Sequence, residues 1–185
     1  NSANRERKHG AVVSNAGSDP KRAVVVGSSF AGLTAAFELR KRLDPGVEVV
    51  VIEPREKFTF IPSLIWVPFG MREPDDVTFD LEPVYTKKGI RFINEAAKGF
   101  DLEAQTVTTT GGQEVSYDSL LLATGPRLAF EKIDGLGPHG GYTQSVCNLE
   151  HALLTRDAWQ KFLENPGPVV VGTAQGGSCF GASYE

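Results

Sequence analysis

Residues 23–32 read Ala23-Val24-Val25-Val26-Gly27-Ser28-Ser29-Phe30-Ala31-Gly32, and the fold is decided there. An unbroken apolar run rich in β-branched residues is a strand buried on both faces, which is the habit of a parallel sheet. The glycines close a turn, after which Leu33, Ala36, Phe37, Leu39 and Leu43 approximate one face of a helix that stops at Asp44-Pro45-Gly46. A second apolar strand, 47–52, follows. Strand, helix and strand within about 30 residues make a βαβ unit.

Glu53 ends the second strand, 21 residues after Gly32, and completes the layout of a dinucleotide-binding fold. In that layout Gly27 permits the tight turn and Gly32 lets the helix lie close to the strand. The free N–H groups at the helix start, around Ser29, Phe30 and Ala31, face a pyrophosphate. Glu53 accepts hydrogen bonds from an adenosine ribose, and its charge disfavours a 2′-phosphate. Ser29 stands where the usual pattern has its middle glycine; serine is the smallest polar replacement, and its hydroxyl is itself a donor to a phosphate oxygen.

The chain has 185 residues, enough for one domain or one and a half. Hydrophobic residues at 41% and charged residues at 23% exclude a disordered chain. A net charge of −4 argues against a polyanion-binding surface, so no nucleic-acid partner is expected. No apolar run reaches the roughly 20 residues that span a bilayer, which leaves peripheral membrane contact open. Two cysteines, Cys147 and Cys179, are too few for a disulfide scaffold, and without histidines at metal spacing no metal site is expected.

Residues 1–22 are polar, show no hydrophobic period and read as a disordered tail. Between 57 and 74, two prolines preclude a long helix, and the density of aromatics suits a segment packed against a large flat partner. A short helix is expected near 81–88 and strands at 90–93, 106–109 and 119–123, the middle one entering a Gly111-Gly112 turn. A helix follows from 148 to about 163 with Asn148 as N-cap. Pro168-Val169-Val170-Val171-Gly172 again reads as a buried strand running into a glycine turn and a helix. A βα half-unit without its return strand cannot bury its sheet face, so the chain is expected to be part of something larger. The fold class is α/β and Rossmann-like, a parallel sheet flanked by helices with a small antiparallel element. Residues 23–147 form the first part of one dinucleotide-binding domain, and 148–185 a linker helix and the start of a second.

The strand 119–123 with Ala123-Thr124-Gly125-Pro126 resembles the Ala-Thr-Gly segment by which flavoproteins with two dinucleotide-binding domains return to the FAD domain. The resemblance favours FAD over NAD in the first site and matches Ala97 to the position whose backbone meets the adenine. Cys179, in Gly172-Thr173-Ala174-Gln175-Gly176-Gly177-Ser178-Cys179, falls at the start of the second helix, where the dipole favours a thiolate. Cys147 lies 32 residues earlier, with His151 one helical turn after it. These cysteines, together with Phe58-Thr59-Phe60-Ile61-Pro62-Ser63, Trp66-Val67, Gly140-Gly141-Tyr142-Thr143-Gln144-Ser145-Val146-Cys147 and Gly176-Gly177-Ser178-Cys179-Phe180-Gly181, make residues 23–185 resemble the sulfide:quinone oxidoreductases.

The resemblance implies bound FAD, oxidation of sulfide at cysteines beside the flavin, and transfer of electrons to a membrane quinone. It matches Cys179 to the flavin-proximal cysteine, Cys147 to a more peripheral one, and Glu185 and His151 to the acid and histidine of proton handling. A third redox cysteine and amphipathic membrane helices are implied beyond Glu185, hence peripheral association with a bacterial inner membrane; a homo-oligomeric state is left open. Alternatives are the flavoprotein subunit of a flavocytochrome c sulfide dehydrogenase, a type II NADH:quinone dehydrogenase, and a flavin-binding domain without turnover. Each site residue also has a structural reading: a free cysteine is commonly a small buried hydrophobe, and His151 and Glu185 are ordinary helix residues.

Overall fold

The computed structural model describes residues 21–173. Cys179 and Glu185, and the helix expected around them, lie outside the described residues, as does nearly all of the expected tail. The tail does not extend to 22, because Arg22 already pairs in the first strand.

The chain runs β1 (Arg22–Val26), α1 (Phe30–Arg42), β2 (Glu48–Ile52), β3 (Lys57–Thr59), a 3-10 segment (Ile61–Trp66), β4 (Thr78–Asp80), α2 (Leu81–Lys87), β5 (Arg91–Ile93), β6 (Ala97–Asp101), β7 (Thr106–Thr109), β8 (Glu114–Ser116), β9 (Ser119–Leu122) and α3 (Leu149–Glu164). Four strands form a parallel sheet in the order β5-β2-β1-β9. β1 therefore has β2 on one side and β9 on the other, which is the switch point at which an open α/β sheet binds ligands at its carboxyl edge.

Alternation along the strands sends successive side chains to opposite faces of this sheet. Val25, Val49 and Val51 face helices, packing with Ala36 of α1 and Leu81 and Tyr85 of α2. Val24, Val26, Val50 and Ile52 face the other way, onto Val107 and Val115 of the antiparallel sheet β6-β7-β8. The unbroken apolar runs at 23–26 and 49–52 follow directly: a strand covered on both faces has no solvent side on which to place polar residues.

The aromatic segment divides into two faces. Leu64 and Val67 are buried with Val77 and with Ala152 of α3, while Phe60, Ile61, Trp66 and Phe69 remain exposed. Arg156 of α3 fastens the segment, donating to the carbonyls of Val67 and Arg72 at 2.8 Å each and to Glu73 at 2.9 Å. β3 and β4 pair across this excursion as a short antiparallel ribbon.

One expected strand is absent. Residues 168–172 have no strand structure, and Val170 is 95% exposed. An all-apolar parallel strand needs neighbours on both edges and both faces, and none of the described residues pairs with this one.

Candidate functional site

The turn between β1 and α1 is built by backbone contacts that only glycine tolerates. Gly27 has φ of +101°, and a Cβ there would lie 2.4 Å from the Ala123 carbonyl oxygen. A Cβ at Gly32 would lie 1.9 Å from the Gly27 carbonyl oxygen. The Gly27 N–H donates to the Ile52 carbonyl at 2.9 Å, and the Ala123 N–H to the Val26 carbonyl at 2.8 Å. The carboxyl ends of β1, β2 and β9 thus meet at one point, and Ala123 and Thr124 close against the turn, with Gly125 next in the chain. α1 starts at Phe30 with Ser29 as its N-cap, and the Ser29 side chain makes no capping bond. No acid occupies the first turn, so the N–H groups of Phe30 and Ala31 and the Ser29 hydroxyl present an anion-ready helix end.

Glu53 is 2% exposed beside this turn. One carboxylate oxygen accepts the Ser28 N–H at 2.7 Å, and both receive Arg55, whose Nε and Nη2 donate at 2.8 and 3.0 Å and whose backbone N–H donates at 3.0 Å. Burial works against the ionised form, but these hydrogen bonds and the Arg55 charge outweigh it and hold the carboxyl below its ordinary value. A carboxylate has about four acceptor positions, and all four are in use. Glu53 therefore offers no open acceptor in this arrangement; the partner that could give way is the guanidinium of Arg55, whose side chain is 55% exposed.

The lowered pKa of Glu53 sets the sign of a stability effect. A carboxyl with a lowered folded pKa stabilises above its unfolded value, about 4.3, and that contribution is lost as pH falls through the folded value. Glu53→Gln is expected to cost about 1–2 kcal/mol at neutral pH, given that Arg55 is partly solvated. Urea unfolding across a pH series should show the gap between variant and parent closing as the solution is acidified; a gap independent of pH would contradict the ionised assignment.

Sequence reasoning missed what stands behind Glu53. The Ser28 hydroxyl and the Tyr85 hydroxyl are hydrogen-bonded at 2.5 Å, both residues being buried. Burial pushes the Tyr85 phenol above its usual value, and the nearby Glu53 charge adds to that. Ser28, between the glycine and the N-cap, thus passes its N–H to Glu53 and its hydroxyl to α2. Only the position of Tyr85 inside an apolar helix pattern hinted that its polar end would need a partner.

Ala97 opens β6 and packs against the apolar cluster on the side of the sheet away from the helices. Cys147 is exposed, its N–H donating to Ser145 Oγ at 3.2 Å. Asn148 caps α3 as expected, accepting the His151 N–H at 2.8 Å. His151 is 5% exposed, and burial, with the nearby His139, lowers its pKa. The structure therefore joins the glycine turn, Glu53 and Ala123 at the carboxyl edge of the sheet, sets Ala97 against one of its faces, and puts Cys147 and His151 at the amino end of α3.

The family model for pyridine nucleotide-disulphide oxidoreductase matches residues 21–177. The chain belongs to that family. The sulfide-quinone reductase of Aquifex aeolicus is 40% identical over 165 residues, which is 89% of this chain and 37% of the relative. The mitochondrial sulfide:quinone oxidoreductase of Dictyostelium discoideum is 28% identical over 169 residues, 88% of this chain and 36% of the relative. The X-ray structure of the Aquifex aeolicus sulfide:quinone oxidoreductase superposes with a TM-score of 0.81 at 39% identity, covering 89% of this chain and 37% of that one. The chain therefore spans little more than a third of the length of these relatives.

This pyridine nucleotide-disulphide oxidoreductase family binds FAD. The residues present fit that cofactor: the turn excludes Cβ atoms at 27 and 32, the helix end lacks acids, and a buried carboxylate flanks it.

Proposed function

We propose that this chain supplies the dinucleotide-binding part of a sulfide:quinone oxidoreductase, which oxidises sulfide at cysteine sulfur and delivers the electrons to a membrane quinone. The extended similarity to the Aquifex protein, in sequence and in fold, is the observation that carries this reading. Ser29, Phe30 and Ala31 hold the pyrophosphate, Gly27 permits the turn and Gly32 the close helix packing that aim those groups at it, and Glu53 takes the ribose. Ala97, Ala123, Thr124 and Gly125 border the same cofactor. FAD, when bound, supplies the two-electron acceptor for sulfide oxidation and the donor to quinone.

Cys179 provides the sulfur nearest the flavin and Cys147 a more peripheral one. Hydrosulfide attacks one sulfur of a disulfide that includes Cys179: a new S–S bond forms to the sulfide, the cysteine–cysteine bond breaks, and the other cysteine leaves as thiolate. One persulfide and one thiolate then carry the two electrons that sulfide brought. His151 and Glu185 handle the protons. Among the described residues no helix is long and apolar enough to cross a membrane. Peripheral attachment to a bacterial inner membrane, through a region outside this chain, is part of the proposal, as is a second dinucleotide-binding-like domain reached through α3.

Anaerobic addition of sulfide to the full-length protein should bleach the flavin absorbance, and Cys179→Ser should abolish the bleaching while leaving bound flavin intact. Undiminished bleaching in that variant would remove Cys179 from the chemistry. Reduction by NADH in place of sulfide would support a type II NADH dehydrogenase instead.

A further inference from the structure

The amino end of α3 carries a second cluster that the flavin chemistry does not absorb. His139, from the loop before the helix, and Glu150 and His151, from its first turn, each offer one ligand atom, and these atoms all lie within 4.8 Å of one another. His139 Nε2 is 3.3 Å from Glu150 Oε1, and the two imidazole rings sit 5.4 Å apart at 63°. His151 supplies an independent sign: its Nδ1 is buried and has no hydrogen-bond partner. A buried imidazole nitrogen ordinarily finds one, and an orphan calls for an explanation such as an ion. No spacing in the sequence announces the trio, because His139 and His151 are twelve residues apart and come together only when the loop folds back on the helix.

We infer that His139, Glu150 and His151 form a site for a divalent transition-metal ion of the zinc class, with three protein ligands and a coordination position left open. Two imidazoles and one carboxylate suit zinc and its neighbours; the oxygen-seeking magnesium and calcium prefer other donors. The donor set corresponds to the three-ligand pattern of open zinc sites rather than the closed four-ligand pattern of structural ones. His139 and Glu150 are exposed, which gives an ion a way in, while Phe130 packs 5.4 Å from the His151 ring and screens it. A cation at a helix amino terminus meets the positive end of the dipole. Here the Glu150 carboxylate adds a negative charge on the first turn, and the Asn148 side chain already occupies the His151 N–H. An ion so held would engage the imidazole assigned above to proton handling, yet the binding itself does not depend on that assignment.

The test uses the full-length protein, stripped with a chelator and titrated with Zn2+ against a chromophoric competitor, and with Co2+ for its visible d–d bands. Wild type should bind one equivalent of Zn2+ that excess Mg2+ does not displace. His139→Ala and Glu150→Gln, both surface changes that leave the fold and the bound flavin in place, should each weaken it at least about tenfold and alter the Co2+ spectrum. Cys147→Ser and Cys179→Ser should leave it unchanged. Zinc binding that survives both surface substitutions, or that disappears with the cysteines, would overturn the proposal.

Discussion

Gly32→Ala is expected to release the flavin and to destabilise the protein by about 3 kcal/mol, at or beyond the upper end of the usual overpacking range. The added methyl would stand 1.9 Å from the Gly27 carbonyl oxygen and 2.7 Å from its carbonyl carbon. Both obstacles are backbone, and Gly27 is itself pinned to the Ile52 carbonyl and pressed against Ala123. Nothing can rotate aside, so α1 must lift from β1 and carry the free N–H groups at its amino end with it. Flavin-to-protein ratio after gel filtration and the urea midpoint read the two consequences separately. Gly46→Ala is the matched control, because a Cβ there meets nothing within 4 Å. A Gly32→Ala protein with full flavin and an unshifted midpoint would mean that the helix does not pack as closely as described.

Tyr85→Ala should cost about 3–5 kcal/mol, the range for truncating a large buried aromatic. The ring is fully buried, stacked on Phe92 at 5.4 Å and edge-on to Phe37 at 6.0 Å, so its removal opens a void between α2 and the sheet. Tyr85→Phe keeps those contacts and isolates the hydroxyl. The Ser28 oxygen, buried and deprived of its partner, should then account for about 1–3 kcal/mol. Adding Ser28→Ala to Tyr85→Phe should recover part of that loss, because deleting both partners leaves no stranded polar group. Strict additivity of the two single substitutions in urea unfolding would show that the hydroxyls do not act as a pair.

The parts of this molecule that were legible in the sequence are those whose physics is local. The run 23–26 is apolar because β1 is covered on both faces, and Gly27 and Gly32 are glycines because backbone occupies the space of a side chain. Asn148 was legible as a cap because its side chain satisfies a donor three residues on. β3 and β4 were not, since three-residue strands carry too little alternation to register, and β6 was hidden by Lys98 and Gly99 in a strand interrupted by an irregularity. Val169–Val171 misled for the opposite reason: the local pattern is that of a buried strand, but burial depends on neighbours. In the site, Glu53 was readable from its distance to the glycines, whereas Arg55 folding back on it, Tyr85 reaching Ser28, and His139 approaching His151 are long-range meetings that leave no periodic trace.

Phe30 is the first residue of α1 and also packs edge-on against Phe58 at 5.2 Å and Phe60 at 5.6 Å. One ring therefore serves as a shared wall between the amino end of α1 and the aromatic excursion after β2. In chimeras between relatives, the two regions should travel as a single block, because importing either one alone leaves that wall fitted to a neighbour it no longer has.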